Sequence, residues 1–185
     1  MYVDMLKNFS STLKIASYDS DNDEYMTENE TEVVNLDTYA KNISKTSPPK
    51  SCDALFFYKA EQKWYLIEFK NGILFYECMK CKGCIKCEEC PKCKTMEKKY
   101  EIKEKIFESL LLLTKELNKT IDFFQKNMTF ILVYNKSKNS RKNILNSLNK
   151  LGDFVPKRLE GVYLEKIRYL EKGDFHKGFV EKYCV

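Results

Sequence analysis

The sequence predicts an α/β fold, and three observations carry that reading. Two aromatic, β-prone runs, CDALFFYK (52–59) and KWYLIEFK (63–70), lie close enough to form an antiparallel hairpin. From about Glu97 to Phe124, apolar residues recur at steps of three and four, the period of a long amphipathic helix. TFILVYN (129–135) then reads as a buried strand. The order helix, strands, long helix, strand, helix, strand suits one domain over residues 1–185: a mixed sheet flanked by helices, with a cysteine-rich insertion at 77–94.

Taken in order, Val3, Leu6, Phe9, Leu13 and Ile15 mark an amphipathic opening helix over 3–16. The acidic stretch Asp19–Glu32 has little to bury and reads as a loop or a partly exposed segment, and 33–45 is ambiguous. Pro48 and Pro49 break any helix or central strand there. After the hairpin, Asn71-Gly72 is a strong turn pair and 73–77 reads as a continuation of the sheet. The long helix buries Ile102, Ile106, Leu110, Leu113, Leu117, Ile121 and Phe124. Ser140–Leu151 reads as a helix ended by Gly152, 161–171 as a later strand and 174–183 as a short terminal helix.

Composition excludes some classes. An apolar share of 43% with 14% aromatics can build a core, so wholesale disorder is excluded. No run of eighteen apolar residues exists to span a membrane, and the opening residues lack the apolar centre of a secretory signal. The expectation is a cytoplasmic protein with no membrane partner. The net charge of +5 is uneven: residues 1–40 hold nine acids against Lys7 and Lys14, and the remainder is strongly basic. A basic body suits nucleic acid, but on charge alone a lysine-rich solvated face is the better reading, so charge does not decide. There is no P-loop and no dinucleotide glycine fingerprint. His176, the single histidine, offers no triad. Asp19, Asp21, Asp23 and Glu30 mimic a calcium-loop spacing, but Glu24 stands where the turn needs glycine, so a solvated loop is the better reading. Trp64 reads as core rather than as a base-stacking platform.

The sharpest signal is three charges in the hairpin. Side chains alternate along a strand, so Trp64, Leu66, Glu68 and Lys70 share one face. With Ala60–Lys63 as the connection, Tyr58 faces Tyr65, Leu55 faces Glu68, and Asp53 faces Lys70. Asp53, Glu68 and Lys70 then lie together on strands that are otherwise apolar. Ionic groups in such a place must be paired or hold an ion. Two carboxylates suit Mg²⁺ or Mn²⁺, with Lys70 to orient or deprotonate a water and steady charge on a phosphate. The plainer alternative is a cross-strand salt bridge in a structural sheet.

Asp53, with Glu68-Phe69-Lys70 on the next strand, resembles the PD-(D/E)XK nuclease superfamily, and the plan over roughly 1–135 is similar to its α-β-β-β-α-β core. The resemblance implies a restriction-endonuclease-like fold, Asp53 and Glu68 as metal-binding acids and Lys70 as the catalytic lysine. It further implies an acid from the first helix, for which Glu28, Glu30 and Glu32 are the candidates. The function expected is a Mg²⁺-dependent nuclease acting on DNA. The alternative is a non-catalytic nucleic-acid- or protein-binding module on the same scaffold.

Cys78, Cys81, Cys84, Cys87, Cys90 and Cys93 form overlapping C-x2-C knuckles. Without an export signal, metal binding outranks disulfides. Two such knuckles close a four-thiolate zinc shell, and an iron–sulfur cluster is the rival. A structural role is expected, with Lys80, Lys82, Lys86, Lys92 and Lys94 available to phosphates. Cys52 and Cys184 read as ordinary core or tail residues.

Overall fold

The structure is a computed structural model that describes residues 2–74, 91–139 and 158–184, with side chains described from 101 onward in the middle stretch. Helix α1 (Tyr2–Phe9), strand β1 (Ser10–Thr12) and helix α2 (Leu13–Ala16) open the chain. A small hairpin, β2 (Tyr18–Asp19) and β3 (Glu24–Tyr25), precedes β4 (Glu32–Asn35) and α3 (Leu36–Ile43). The expected hairpin follows as β5 (Ala54–Tyr58) and β6 (Lys63–Lys70). Helices α4 (Pro91–Glu116) and α5 (Ile121–Asn127) lead to β7 (Met128–Tyr134) and β8 (Lys166–Glu171). The last described segment is helical, running α6 (Lys172–Phe175), a π-turn (His176–Val180) and α7 (Glu181–Tyr183).

Six strands form one mixed sheet in the order β1-β4-β5-β6-β7-β8. The β1–β4, β4–β5 and β5–β6 pairs are antiparallel; β6–β7 and β7–β8 are parallel. Parallel neighbours need a crossover, and α4 with α5 supplies the one from β6 to β7. Both faces of the sheet are covered, so the central strands are apolar on both sides. On one face Leu55, Trp64, Leu66, Phe130 and Leu132 pack against Ile102, Ile106, Leu110 and Leu113 of α4. Full burial of such side chains is worth about 1.5–3 kcal/mol each. On the other, Phe56, Tyr65, Ile67, Phe69, Ile131 and Val133 meet Phe175, Phe179 and Val180 of the terminal helix. No described helix is long and apolar enough to cross a membrane.

Several boundaries differ from the sequence reading. The opening helix stops at Phe9, because Ser10, Ser11 and Thr12 are poor helix interiors and pair instead with Val34, Val33 and Glu32. Thr12 then caps α2, its Oγ1 accepting the Ile15 N–H at 3.2 Å. This break carries Leu13 to the sheet face opposite Leu6 and Phe9. The long helix ends at Glu116: Asn118 takes φ 50°, and Thr120 restarts the chain as the N-cap of α5. Ile73 and Leu74 do not join the sheet; the Leu74 N–H donates instead to Asn139 Oδ1 at 2.7 Å. The later strand begins only at Lys166, since Gly161 (φ 74°) and the Val162 N–H bond to Leu159 O make a turn. Residues 75–77 and the helix expected over Ser140–Leu151 lie outside the described residues.

Candidate functional site

The hairpin register moves by two from the expected one. Tyr58 pairs with Lys63, Leu55 with Leu66 and Ala54 with Ile67, so the connection is Lys59–Gln62, and Asp53, just before the ladder begins, does not pair with Lys70. A shift of two keeps every side chain on its own face, where a shift of one would reverse them all. Asp53, Glu68 and Lys70 therefore remain on the α4 face. Asp53 is held at the head of β5 by its own backbone: its N–H donates to Ile67 O (3.0 Å) and its carbonyl accepts the Leu36 N–H (3.2 Å). The neighbouring Cys52 N–H donates to Ser109 Oγ at 2.9 Å, tying this corner to α4.

The carboxylates converge on an ammonium that sequence reasoning missed. Lys105 Nζ, from α4, lies 2.9 Å and 3.2 Å from the two oxygens of Glu68 and 3.4 Å from Asp53 Oδ1. Asp53 Oδ2 accepts the Phe69 N–H at 2.6 Å. Lys70 Nζ lies 3.1 Å from Glu68 Oε1 and 3.2 Å from Glu101 Oε1. Glu68 has no exposed surface, and an ammonium faces each of its oxygens. Glu101 and Lys105 are four residues apart on α4, so one stretch of helix presents both to the sheet.

The electrostatics follow from this packing. Burial favours the neutral amine of Lys105, but Glu68 and then Asp53 outweigh it and raise its affinity for the proton. Lys70 is raised for the same reason: burial opposes its charge, while Glu68 and Glu101 support it. Burial would also raise Glu101, yet Lys70 beside it brings its carboxyl below the usual value. Asp53 goes the other way, pushed up to about 8, first by burial and then by Glu68. A folded chain that keeps this proton above the ordinary value of 3.8 loses stability as pH rises, because the unfolded chain has already released it. In metal-free buffer, resistance to urea should therefore fall between about pH 4 and pH 8. Asp53→Asn should flatten that part of the curve; an unaltered slope in this variant would mean that other groups produce it.

Asp53 and Lys70 open onto a cleft of about 390 Å³, bounded by the β2–β3 hairpin and the segment after β6. Among the described residues, Asp19, Asp21, Asp37, Asp53 and Glu101 line it, with Lys70 as the one ammonium. Such a wall attracts cations and repels a bare polyanion. Asp37 also accepts the Ser51 hydroxyl at 2.5 Å, which fixes the approach to Asp53. The donors fit a hard divalent ion: Asp53 and Glu68, which both contact the Lys105 ammonium, would hold it, with water as the remaining ligands. Among the described residues no three histidine, cysteine, aspartate or glutamate side chains form a ready-made cage.

Glu28 and Glu30 do not join this site; they lie near Lys14 Nζ at 2.9 Å and 3.8 Å. Glu32 accepts the Ser10 hydroxyl at 2.6 Å on the sheet edge. Cys78, Cys81, Cys84, Cys87 and Cys90 lie outside the described residues, and Cys93 is described only as backbone in the first turn of α4. His176 is exposed, 3.6 Å from Glu181. Trp64 is core, edge-on to Tyr2 at 5.2 Å. Cys52 is buried, and burial raises its thiol well above the usual range, which leaves it unreactive. No family model, curated protein or solved structure matches the chain.

Proposed function

We propose that this chain is a divalent-metal-dependent nuclease of restriction-endonuclease-like, PD-(D/E)XK type, acting on DNA. The observation that carries the reading is the convergence of Asp53, at the head of β5, and Glu68 of β6 on one ammonium, with Lys70 two residues after Glu68, beside an open cleft. The topology supports it: β4, β5 and β6 form an antiparallel meander, and α4 carries the chain to a β7 parallel to β6. Asp53 and Glu68 would hold Mg²⁺ or Mn²⁺, which when bound supplies Lewis-acid charge and an activated water for phosphodiester hydrolysis. Lys70, braced between Glu68 and Glu101, is placed to steady negative charge developing on the phosphate.

The carboxylates of the described cleft lining add a condition, since DNA can approach them only when cations offset them. Incubation of the protein with DNA and Mg²⁺ or Mn²⁺ should give cleavage that Asp53→Ala and Lys70→Ala each reduce at least about a hundredfold. Cleavage that persists in both variants rejects the assignment.

One observation favours a second reading, a non-catalytic binding module on the same scaffold: Glu68 is sealed beneath two ammoniums. That reading expects DNA or protein binding with no metal-dependent turnover, and a negative result in the same assay with retained binding selects it.

A further inference from the structure

A cation is already built into the site, and it comes from the chain itself. Lys105 Nζ lies within 3.4 Å of three carboxylate oxygens, contributed by Asp53 at the head of β5 and Glu68 of β6. An ammonium and a divalent metal make the same demand on such a place, which is positive charge surrounded by oxygen. They cannot share it. Glu68 has no exposed surface, so an ion arriving from the cleft meets Asp53 and finds Glu68 behind Lys105 and Lys70. Touching Asp53 alone would leave that ion half of its protein ligands.

We propose that Lys105 is an internal stand-in for the metal: it holds Asp53 and Glu68 together in the metal-free protein, and a divalent ion binds by displacing its ammonium. The proposal rests on the metal-dependent reading above and assigns Lys105 a positioning and regulatory role within it. Without Lys105, the two acids that both contact it would lose the cation between them and the corner would open. With it, the acids are pre-arranged, but the ion must compete with a short charge-assisted contact of 2.9 Å. The displaced ammonium has a place to go. Glu101 lies four residues earlier on α4, a spacing at which helical side chains meet, and its carboxylate already attracts Lys70. Metal affinity is thereby set lower than the carboxylates alone would give, and the site is kept closed until the ion is abundant.

The test is a titration of chelator-treated full-length protein with Mn²⁺, free ion being read by electron paramagnetic resonance. Mn²⁺ prefers oxygen ligands to thiolates, and Asp53→Asn identifies the part of the binding that belongs to this site. Lys105→Gln should bind Mn²⁺ at least tenfold more tightly than the native chain, while Lys105→Arg, which keeps a cation in place, should not. The melting temperature of Lys105→Gln should also be lower than native without metal and rise further on adding Mn²⁺. If Lys105→Gln does not fold, Lys105→Met repeats the comparison with an apolar chain of similar length. Equal Asp53-dependent affinity in native and Lys105→Gln proteins overturns the inference and leaves the proposed function standing. Absence of any Asp53-dependent binding in all forms removes both.

Discussion

Glu68→Leu should lower the stability of the metal-free protein by about 3–5 kcal/mol, and adding Lys105→Leu to the same chain should return a large part of that loss. Glu68 is fully buried, and it provides the two shortest carboxylate contacts of Lys105. Removing it strands an ammonium whose side chain is only 15% exposed and which, among the described residues, keeps the 3.4 Å contact to Asp53. An uncompensated buried charge is costly, whereas a pair of apolar side chains in the same volume is often tolerated as well as the ion pair. Lys70 suffers less, because Glu101 remains 3.2 Å away. Urea unfolding of the two single variants and the double variant gives the coupling directly. A double variant whose loss equals the sum of the singles would show that Lys105 and Glu68 are energetically independent. The measurement is free of any assumption about activity, so it establishes the ionic corner whether or not the protein cuts DNA.

How much of this corner the sequence displayed depends on which rule each residue obeys. The alternation of Trp64, Leu66, Glu68 and Lys70 fixes a shared face whatever the turn does, and that part was legible. The register was not. The connection Lys59–Gln62 contains no glycine or asparagine to mark where the turn falls, and the residue that takes positive φ is Gln62, at 54°. Lys105 was hidden for another reason: α4 is rich in lysine, and Lys103 and Lys105 look alike as letters. A signal did exist. Lys105 and Ser109 are one turn apart on the margin of the stripe made by Ile102, Ile106, Leu110 and Leu113, and both turn out to bond the Cys52–Asp53 corner. The end of α4 was overrun because Leu117, Ile121 and Phe124 keep helical spacing across a break signalled only by Asn118 and the capping Thr120. Asp37, one of the acids beside Asp53 in the cleft, comes from the first turn of α3, a region whose residues gave no decisive periodicity.

Phe179→Ala should cost about 3–5 kcal/mol and should also loosen the site on the opposite side of the sheet. Phe179 has no exposed surface and is the hub of an aromatic cluster, 4.9 Å from Tyr65, 5.8 Å from Phe56 and stacked on Phe175 at 5.1 Å. Phe175 in turn meets Phe69 edge-on at 5.6 Å. Tyr65, Ile67 and Phe69 alternate along β6 with Leu66, Glu68 and Lys70, so the strand that aims the charges is anchored by the cluster behind it. The link is covalent and short: the N–H of Phe69 itself donates to Asp53 Oδ2 at 2.6 Å. A cavity behind Phe69 lets that amide move, and Asp53 loses the donor that orients it towards Lys105. Amide hydrogen exchange should therefore quicken at Phe69 in Phe179→Ala beyond any increase at the far edge strand β1. Unfolding with urea gives the global cost. A loss below about 1 kcal/mol would mean that the terminal helix does not seal this face, and unchanged exchange at Phe69 would mean that the two faces of β6 are mechanically separate.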